Sequence, residues 1–270
     1  MNSIRIGCQT YSWEMHGEAW HGTPDDILDA VANAGYQGVE ITPTMIGDYY
    51  DRPGSFAQAL KRRGLELAAF AYASPHGFSD PARWADEIAG AERALQFAAR
   101  FPQPMVALGG AASPTRDDYD AKLAQACRFY SEVARRGREM GVDVVLHPHS
   151  HHGSLLESAE EYARMLEATA ASGAGFNPDT GHIMRGGQEL LACIRTHLTR
   201  VRHVHVKDVT AAGDWAPMGQ GVCDFPGLLN LLAGSGYRGW IVAEEESTLA
   251  WEDPAHAIRV NREYLRGLGW

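Results

Sequence analysis

Val201-Arg202-His203-Val204-His205-Val206-Lys207-Asp208 places apolar residues at 201, 204, 206 and 209 and ionisable ones between them. Alternation of this kind marks a strand with one face given to each class of side chain. Residues two apart in a strand share a face, so His203, His205 and Lys207 point the same way. A lone strand histidine is more often a hydrogen-bonded core residue than a ligand. Here Lys207 and Asp208 end the run together, and three other apolar runs also end in His, Asp or Glu.

Outward from this strand the chain alternates strand and helix in both directions. Towards the N-terminus the expected strands are Ile4–Gln9, Gly38–Ile41, Leu65–Ala73, Pro104–Leu108, Val142–His147 and Gly175–Asp179. Towards the C-terminus one more is expected at Gly239–Glu245. Helices are expected from Pro24 to Gly35, from a Ser55 cap to Arg63, and from Asp80-Pro81 to about Arg100. Further ones are expected at Asp117–Met140, after Ser158, and at Gln188–His197, Pro226–Ala233 and Pro254–Arg266. Pro at a first helical position and Gly after a last one set several of these limits. Ser158-Ala159-Glu160-Glu161 reads as a capping box, in which hydroxyl and carboxylate each satisfy a free amide. A Gly-aromatic-x-Gly lead-in recurs before the strands at 35–41 and 236–242. Eight βα units without linker or low-complexity insert predict a single (β/α)8 TIM barrel domain over residues 1–270. An open dinucleotide-binding sheet would need a Gly-x-Gly-x-x-Gly turn after the first strand, and Gly7-Cys8-Gln9-Thr10 has none.

Composition narrows the partners. The 270 residues are 45% hydrophobic and 21% charged, as in ordinary globular proteins. A formal charge of −10 argues against nucleic acid, whose binding relies on clustered Lys and Arg. Cys8, Cys127, Cys193 and Cys223 form no Cys-x-x-Cys pair and fit reduced thiols. The first residues lack the apolar core of a signal peptide, and no run reaches membrane-spanning length. A cytoplasmic protein without a membrane partner is expected; homo-oligomer formation stays open.

The active site of a TIM barrel lies at the C-terminal ends of its strands. Strand two ends in Glu40, and strand five in His147-Pro148-His149-Ser150-His151-His152. Strand six ends in Asp179-Thr180-Gly181-His182, strand seven carries His205 and Lys207, and strand eight ends in Glu244-Glu245-Glu246. Burying that many ionisable groups unpaired would cost several kcal/mol each. A divalent cation bound by carboxylates and imidazoles would resolve the conflict, and the mixed oxygen and nitrogen set suits Mn2+, Co2+, Zn2+ or Fe2+ better than Ca2+. Bland readings stand beside these. Asp179 before Thr-Gly suits a turn. Glu245 is expected to face outward and Glu246 back towards the site. Trp13, with Tyr11 and Trp20, could wall a pocket or pack a core. His76 reads as loop structure, and His151 and His152 as loop or substrate contacts. The Gly219–Asp224 loop could cradle a phosphate, but no Arg or Lys lies nearby, which favours a non-phosphorylated substrate.

In order and placement, Asp179-x-x-His182, His205-Val206-Lys207-Asp208, Gly219-x-Gly221-x-x-Asp224-Phe225 and Glu244 resemble the xylose isomerase-like barrel superfamily. That group includes sugar isomerases and epimerases, hydroxypyruvate isomerase and inosose dehydratase. The resemblance implies metal ligands at Asp179, His205 and Glu244, with the strand-five ligand falling on His147 and His149 as its competitor. It also implies a divalent cofactor, Mn2+ first, with Co2+, Zn2+, Fe2+ or Mg2+ as substitutes, and a small carbohydrate or cyclitol substrate. Glu244 and His147 are the candidate bases for the proton α to a carbonyl. Lys207 and His182 would hydrogen-bond the substrate oxygen, and Glu40, His149, Glu246 and Trp13 would complete its binding. Ketose epimerases use glutamates at the ends of strands five and eight as an acid/base pair, and His147 departs from that scheme. A His-rich strand-five end is instead like that of inosose dehydratases. Isomerisation or epimerisation of a keto-sugar is the first expectation, and β-elimination from a keto-cyclitol or 3-keto-sugar the alternative. Metal-dependent endonucleases acting at abasic sites share the barrel but need a basic DNA face, which the −10 charge disfavours. A binding protein with a degenerate site would lack the intact Asp179, His205 and Glu244 series.

Overall fold

The computed structural model describes residues 4–150 and 153–270; His151 and His152 lie outside the described residues. The strands are β1 (Arg5–Gln9), β2 (Gly38–Ile41), β3 (Glu66–Tyr72), β4 (Met105–Leu108), β5 (Asp143–Leu146), β6 (Gly175–Phe176), β7 (Val204–Val206), β8 (Asp208–Val209), β9 (Trp215–Ala216) and β10 (Trp240–Ala243). Eight of them form one sheet in the order β6-β5-β4-β3-β2-β1-β10-β7, with helices between successive strands. Neighbours in sequence are neighbours in space, first and last strands included, and Phe176 bridges Val201 just ahead of β7. This is the (β/α)8 barrel arrangement. β8 and β9 form a small antiparallel hairpin of their own. By contacts the chain forms two compact units, residues 1–69 with 203–270 and residues 70–202, and β3 runs from one into the other.

In the first unit β1 pairs with β10 and β2, and β10 with β7, setting Gln9 opposite Glu40 and Val242 opposite His205. Ala68, Trp240 and Val242 pack together as buried core. Gly38 is required there, since a Cβ on it would lie 2.5 Å from the Trp240 ring. The helix Pro24–Ala34 starts at a Thr23/Asp26 capping box and stops at Gly35, whose φ of 84° suits glycine. Its buried stripe is Ile27, Leu28, Val31 and Ala34, and each large aliphatic there contributes about 1.5–3 kcal/mol by leaving water. The C-terminal helix Pro254–Gly267 is capped by Asp253 and buries Ala257, Ile258 and Leu265.

In the second unit β4 pairs with β3 and β5, and β5 with β6. The long helix Tyr119–Glu139 buries Leu123, Ala126, Phe129, Tyr130 and Val133 at helical spacing. Phe78, in the loop after β3, stacks on Phe129 with ring centroids 4.3 Å apart. The Ser158 capping box forms as expected and starts the helix Ala159–Ala168. All four cysteines are free and buried. Among the described residues no helix is long and apolar enough to cross a membrane.

Several expected elements have different limits, for local reasons. β6 stops at Phe176 because Pro178 has no N–H for the ladder and Asp179 caps a short helix, Thr180–Arg185. The strand expected over Val201–Asp208 keeps only Val204–Val206 in the sheet, and Asp208 enters the hairpin. The helix expected from Ser55 begins at Pro53, a residue pre-set for a first turn. The one expected from Asp80 opens as a 3-10 turn, Pro81–Arg83, before Trp84–Ala98.

Candidate active site

The face predicted from the alternation exists. His203, His205 and Lys207 are all at most 1% exposed, and each meets a carboxylate of the first unit. His205 Nδ1 lies 2.7 Å from Glu244 Oε2, and its Nε2 lies 3.0 Å from Glu40. His203 Nε2 lies 2.7 Å from the same Glu40. Lys207 Nζ donates to Glu244 Oε1 at 2.7 Å and to Glu246 Oε1, and sits 4.6 Å from the Trp215 ring. Five acidic or imidazole groups and one ammonium thus form a continuous buried network, as a low-dielectric interior demands of charges.

That network moves proton affinities. Burial pulls His205 down, but the Glu40 and Glu244 carboxylates more than offset it and raise the imidazole to about 10. Burial opposes charge on Glu40 too, yet His205 and His203 hold it well below the usual carboxylate range. Glu246 goes the other way. Burial and the neighbouring Glu244 charge push it up to about 7 against the pull of Lys207.

The second unit holds the other group. His147 is 6% exposed and Asp179 fully buried, with His147 Nε2 3.7 Å from Asp179 Oδ2. That is too long for a hydrogen bond and fits two donors flanking one cation. Asp179 divides its oxygens: Oδ1 accepts from the His182 amide at 2.8 Å as the cap of Thr180–Arg185, and Oδ2 faces His147. The turn reading and the ligand reading of Asp179 are therefore compatible. His182 Nδ1 accepts from the Ser150 amide at 2.9 Å, which places its ring proton on Nε2 and makes that edge a donor. His149 is half-buried, with Nδ1 3.4 Å from the Gly110 amide and its ring 4.5 Å from that of His147. Ligand atoms of His147, His149 and His182 lie within 4.8 Å of one another.

Four features named from the sequence lie in closely packed surroundings. Glu40 is fully buried and held by two imidazoles. Trp13 is 2% exposed and packs edge-on to Trp20. Glu245 does turn away from Lys207, but into the protein: at 2% exposure it accepts from the Ser247 amide and from Asn261 Nδ2 at 2.8 Å. The Gly219–Asp224 loop does not offer its amides to a phosphate. Gly219, Gly221 and Cys223 donate them to the Asp208 carboxylate at 2.9–3.1 Å, with Val209 as a fourth. A Cβ on Gly221 would lie 2.3 Å from that carboxylate, which is why glycine stands there. Sequence reasoning missed Ser150, which sets the His182 tautomer, and Trp215, which the hairpin brings over Lys207. The two glycines and the Asp208 that ends the strand were visible signals of the loop's own anion.

The description "xylose isomerase-like TIM barrel" belongs to a family model that matches residues 28–268. An inosose dehydratase from Geobacillus thermodenitrificans (strain NG80-2) is 26% identical over 302 residues, spanning 98% of this chain and 97% of that protein. Among solved structures, the IOLI protein with a binding zinc atom superposes with a TM-score of 0.83 at 13% identity, over 98% of this chain and 97% of that one. A 3-keto-D-glucoside 4-epimerase from E. coli gives 0.79 at 18% identity, over 98% and 99%. These structural likenesses carry the fold. With the family model spanning most of its length and named enzymes along all of it, the chain belongs to the xylose isomerase-like TIM barrel family, as an enzyme of that superfamily.

Proposed function

We propose that the protein is a divalent-metal-dependent lyase that removes water from a keto-cyclitol or keto-sugar. The observation that carries this reading is the place of Glu246 beside Lys207 and Glu244, where burial and the Glu244 charge push its carboxyl up to about 7, so that it can take up and deliver a proton to a departing hydroxyl. The imidazole at the end of β5, where ketose epimerases place a glutamate, supports it further. So does the 26% identity to an inosose dehydratase along nearly the whole chain.

His147, Asp179, His205 and Glu244 are the groups proposed to hold one ion. Their two imidazoles and two carboxylates fit Mn2+, with Co2+, Zn2+, Fe2+ or Mg2+ as substitutes, and the His147–Asp179 spacing suits a shared cation. When bound, the ion would supply a Lewis acid that polarises the ketone. The remaining work falls to side chains. Glu244 takes the proton α to the carbonyl, and the electron pair forms the new carbon–carbon double bond. The β-carbon–oxygen bond breaks as Glu246 delivers its proton, so the hydroxyl leaves as water. Lys207 and the Nε2 edge of His182 donate to oxygens that gain charge, and His149 borders the substrate. The Asp208-bound loop leaves the site without a phosphate cradle, so a non-phosphorylated substrate suits it.

Isomerisation or epimerisation, the first expectation from the sequence, is the second reading. It shares the proton abstraction and differs in returning a proton to carbon instead of losing hydroxyl; the epimerase among the structural neighbours favours it. Proton NMR in heavy water with a panel of inososes and ketohexoses separates the two. A lyase gives an unsaturated or deoxygenated product from an inosose, with solvent deuterium where carbon is reprotonated. An epimerase gives an isomeric product labelled at the α-carbon. An isomeric product without deuterium at the α-carbon would contradict both and point to a hydride shift, and a hydrolysis product would contradict both as well.

A further inference from the structure

We infer that Glu40 is a positioning residue for the metal site, the buried anion that fixes the ring of His205 so that Nδ1 is its ligand atom. This rests on the reading of His205 as a ligand and assigns a role to a residue outside the proposed ligand set. Glu40 comes from β2, and two strands, β1 and β10, stand between it and β7 in the sheet. It is fully buried, and its charge acts on the protein groups packed around it. Both of its contacts are imidazole Nε2 atoms, His203 at 2.7 Å and His205 at 3.0 Å.

A neutral imidazole carries one ring proton, and the hydrogen bond made by one nitrogen decides which nitrogen keeps a lone pair. In the protein without an ion both ring nitrogens face carboxylates, Nε2 that of Glu40 and Nδ1 that of Glu244 at 2.7 Å; with an ion bound, Glu40 would keep the proton on Nε2 and leave the Nδ1 lone pair for the ion. Carboxylate partners of this kind orient metal-bound histidines and raise their basicity. His203 has a matching part: its Nε2 holds the Glu40 carboxylate from a second direction and keeps it from rotating away. The alternation of His203 and His205 on one strand face is then the means by which one carboxylate is gripped twice.

The test uses Co2+ and Zn2+ as probes on the full chain. Co2+ affinity is measured by calorimetry and by the visible absorption of the bound ion, in wild type and Glu40→Gln. The expected result is a 10- to 100-fold weaker affinity in the variant, the usual consequence of removing such a partner. In Zn2+-loaded, 15N-labelled wild type, two-bond proton–nitrogen correlation is expected to show the His205 proton on Nε2 and none on Nδ1. Equal Co2+ affinity in wild type and folded E40Q would overturn the inference while leaving the metal site in place. So would a His205 proton on Nδ1 in the Zn2+ form. Should E40Q fail to fold, the wild-type tautomer decides alone. Wild type that takes up neither ion would remove the metal reading and this inference together.

Discussion

Glu244→Gln is expected to lower kcat by between about a hundredfold and ten-thousandfold, the range general-base catalysis contributes, with the fold retained. Glutamine keeps the shape of the side chain and removes the carboxylate proposed both to take the proton and to bind the ion, so turnover is measured at saturating Mn2+. The cations that Glu244 meets do not become stranded by the change. Lys207 keeps Glu246, and His205 keeps Glu40. This second partner for each cation distinguishes the site from an isolated buried ion pair, where loss of one member costs roughly 3–5 kcal/mol. Turnover of the substrate identified in heavy water, set beside a urea unfolding curve, checks both halves of the expectation. A variant that unfolds in buffer would assign Glu244 to structure, and one that turns over at the wild-type rate would remove it from the chemistry.

Removal of metal by a chelator is expected to abolish activity, and Mn2+ or Co2+ to restore it. The same ions should act on stability without any substrate present. An ion that binds only the folded chain stabilises it by about 2.7 kcal/mol at a hundredfold excess over its Kd. The gain should therefore appear as a raised unfolding temperature in wild type and shrink in Asp179→Asn, whose neutral amide is a poor ligand. Full activity in metal-free protein would contradict the assignment. Equal stabilisation of wild type and D179N would move the ion elsewhere.

Much of this architecture was legible from residue patterns because the patterns are local. Pro24 and Gly35 bracket a helix by backbone preference alone, and the Ser158 box forms from four consecutive residues. The period of two at 201–208 placed His203, His205 and Lys207 on one face, and all three are buried against carboxylates. What could not be read depends on contacts across long stretches of chain. Glu40 and His203 stand 163 residues apart, so nothing near residue 40 signals that the carboxylate is enclosed. The hairpin of Asp208–Val209 with Trp215–Ala216 interrupts the expected strand because one carboxylate collects four amides, a closure no short-range rule contains. Glu245 illustrates a subtler point. It was expected to face outward, but in a barrel that side of a strand faces helices, and Ser247 and Asn261 enclose it there.

Anomalous diffraction from crystals grown with Mn2+ measures directly whether one shared ion sits at the strand ends. The predicted result is a single strong anomalous peak within coordination distance, about 2.0–2.3 Å, of one atom from each of His147, Asp179, His205 and Glu244. A peak that leaves any two of the four unbound, or no peak in protein that turns over its substrate, would contradict it.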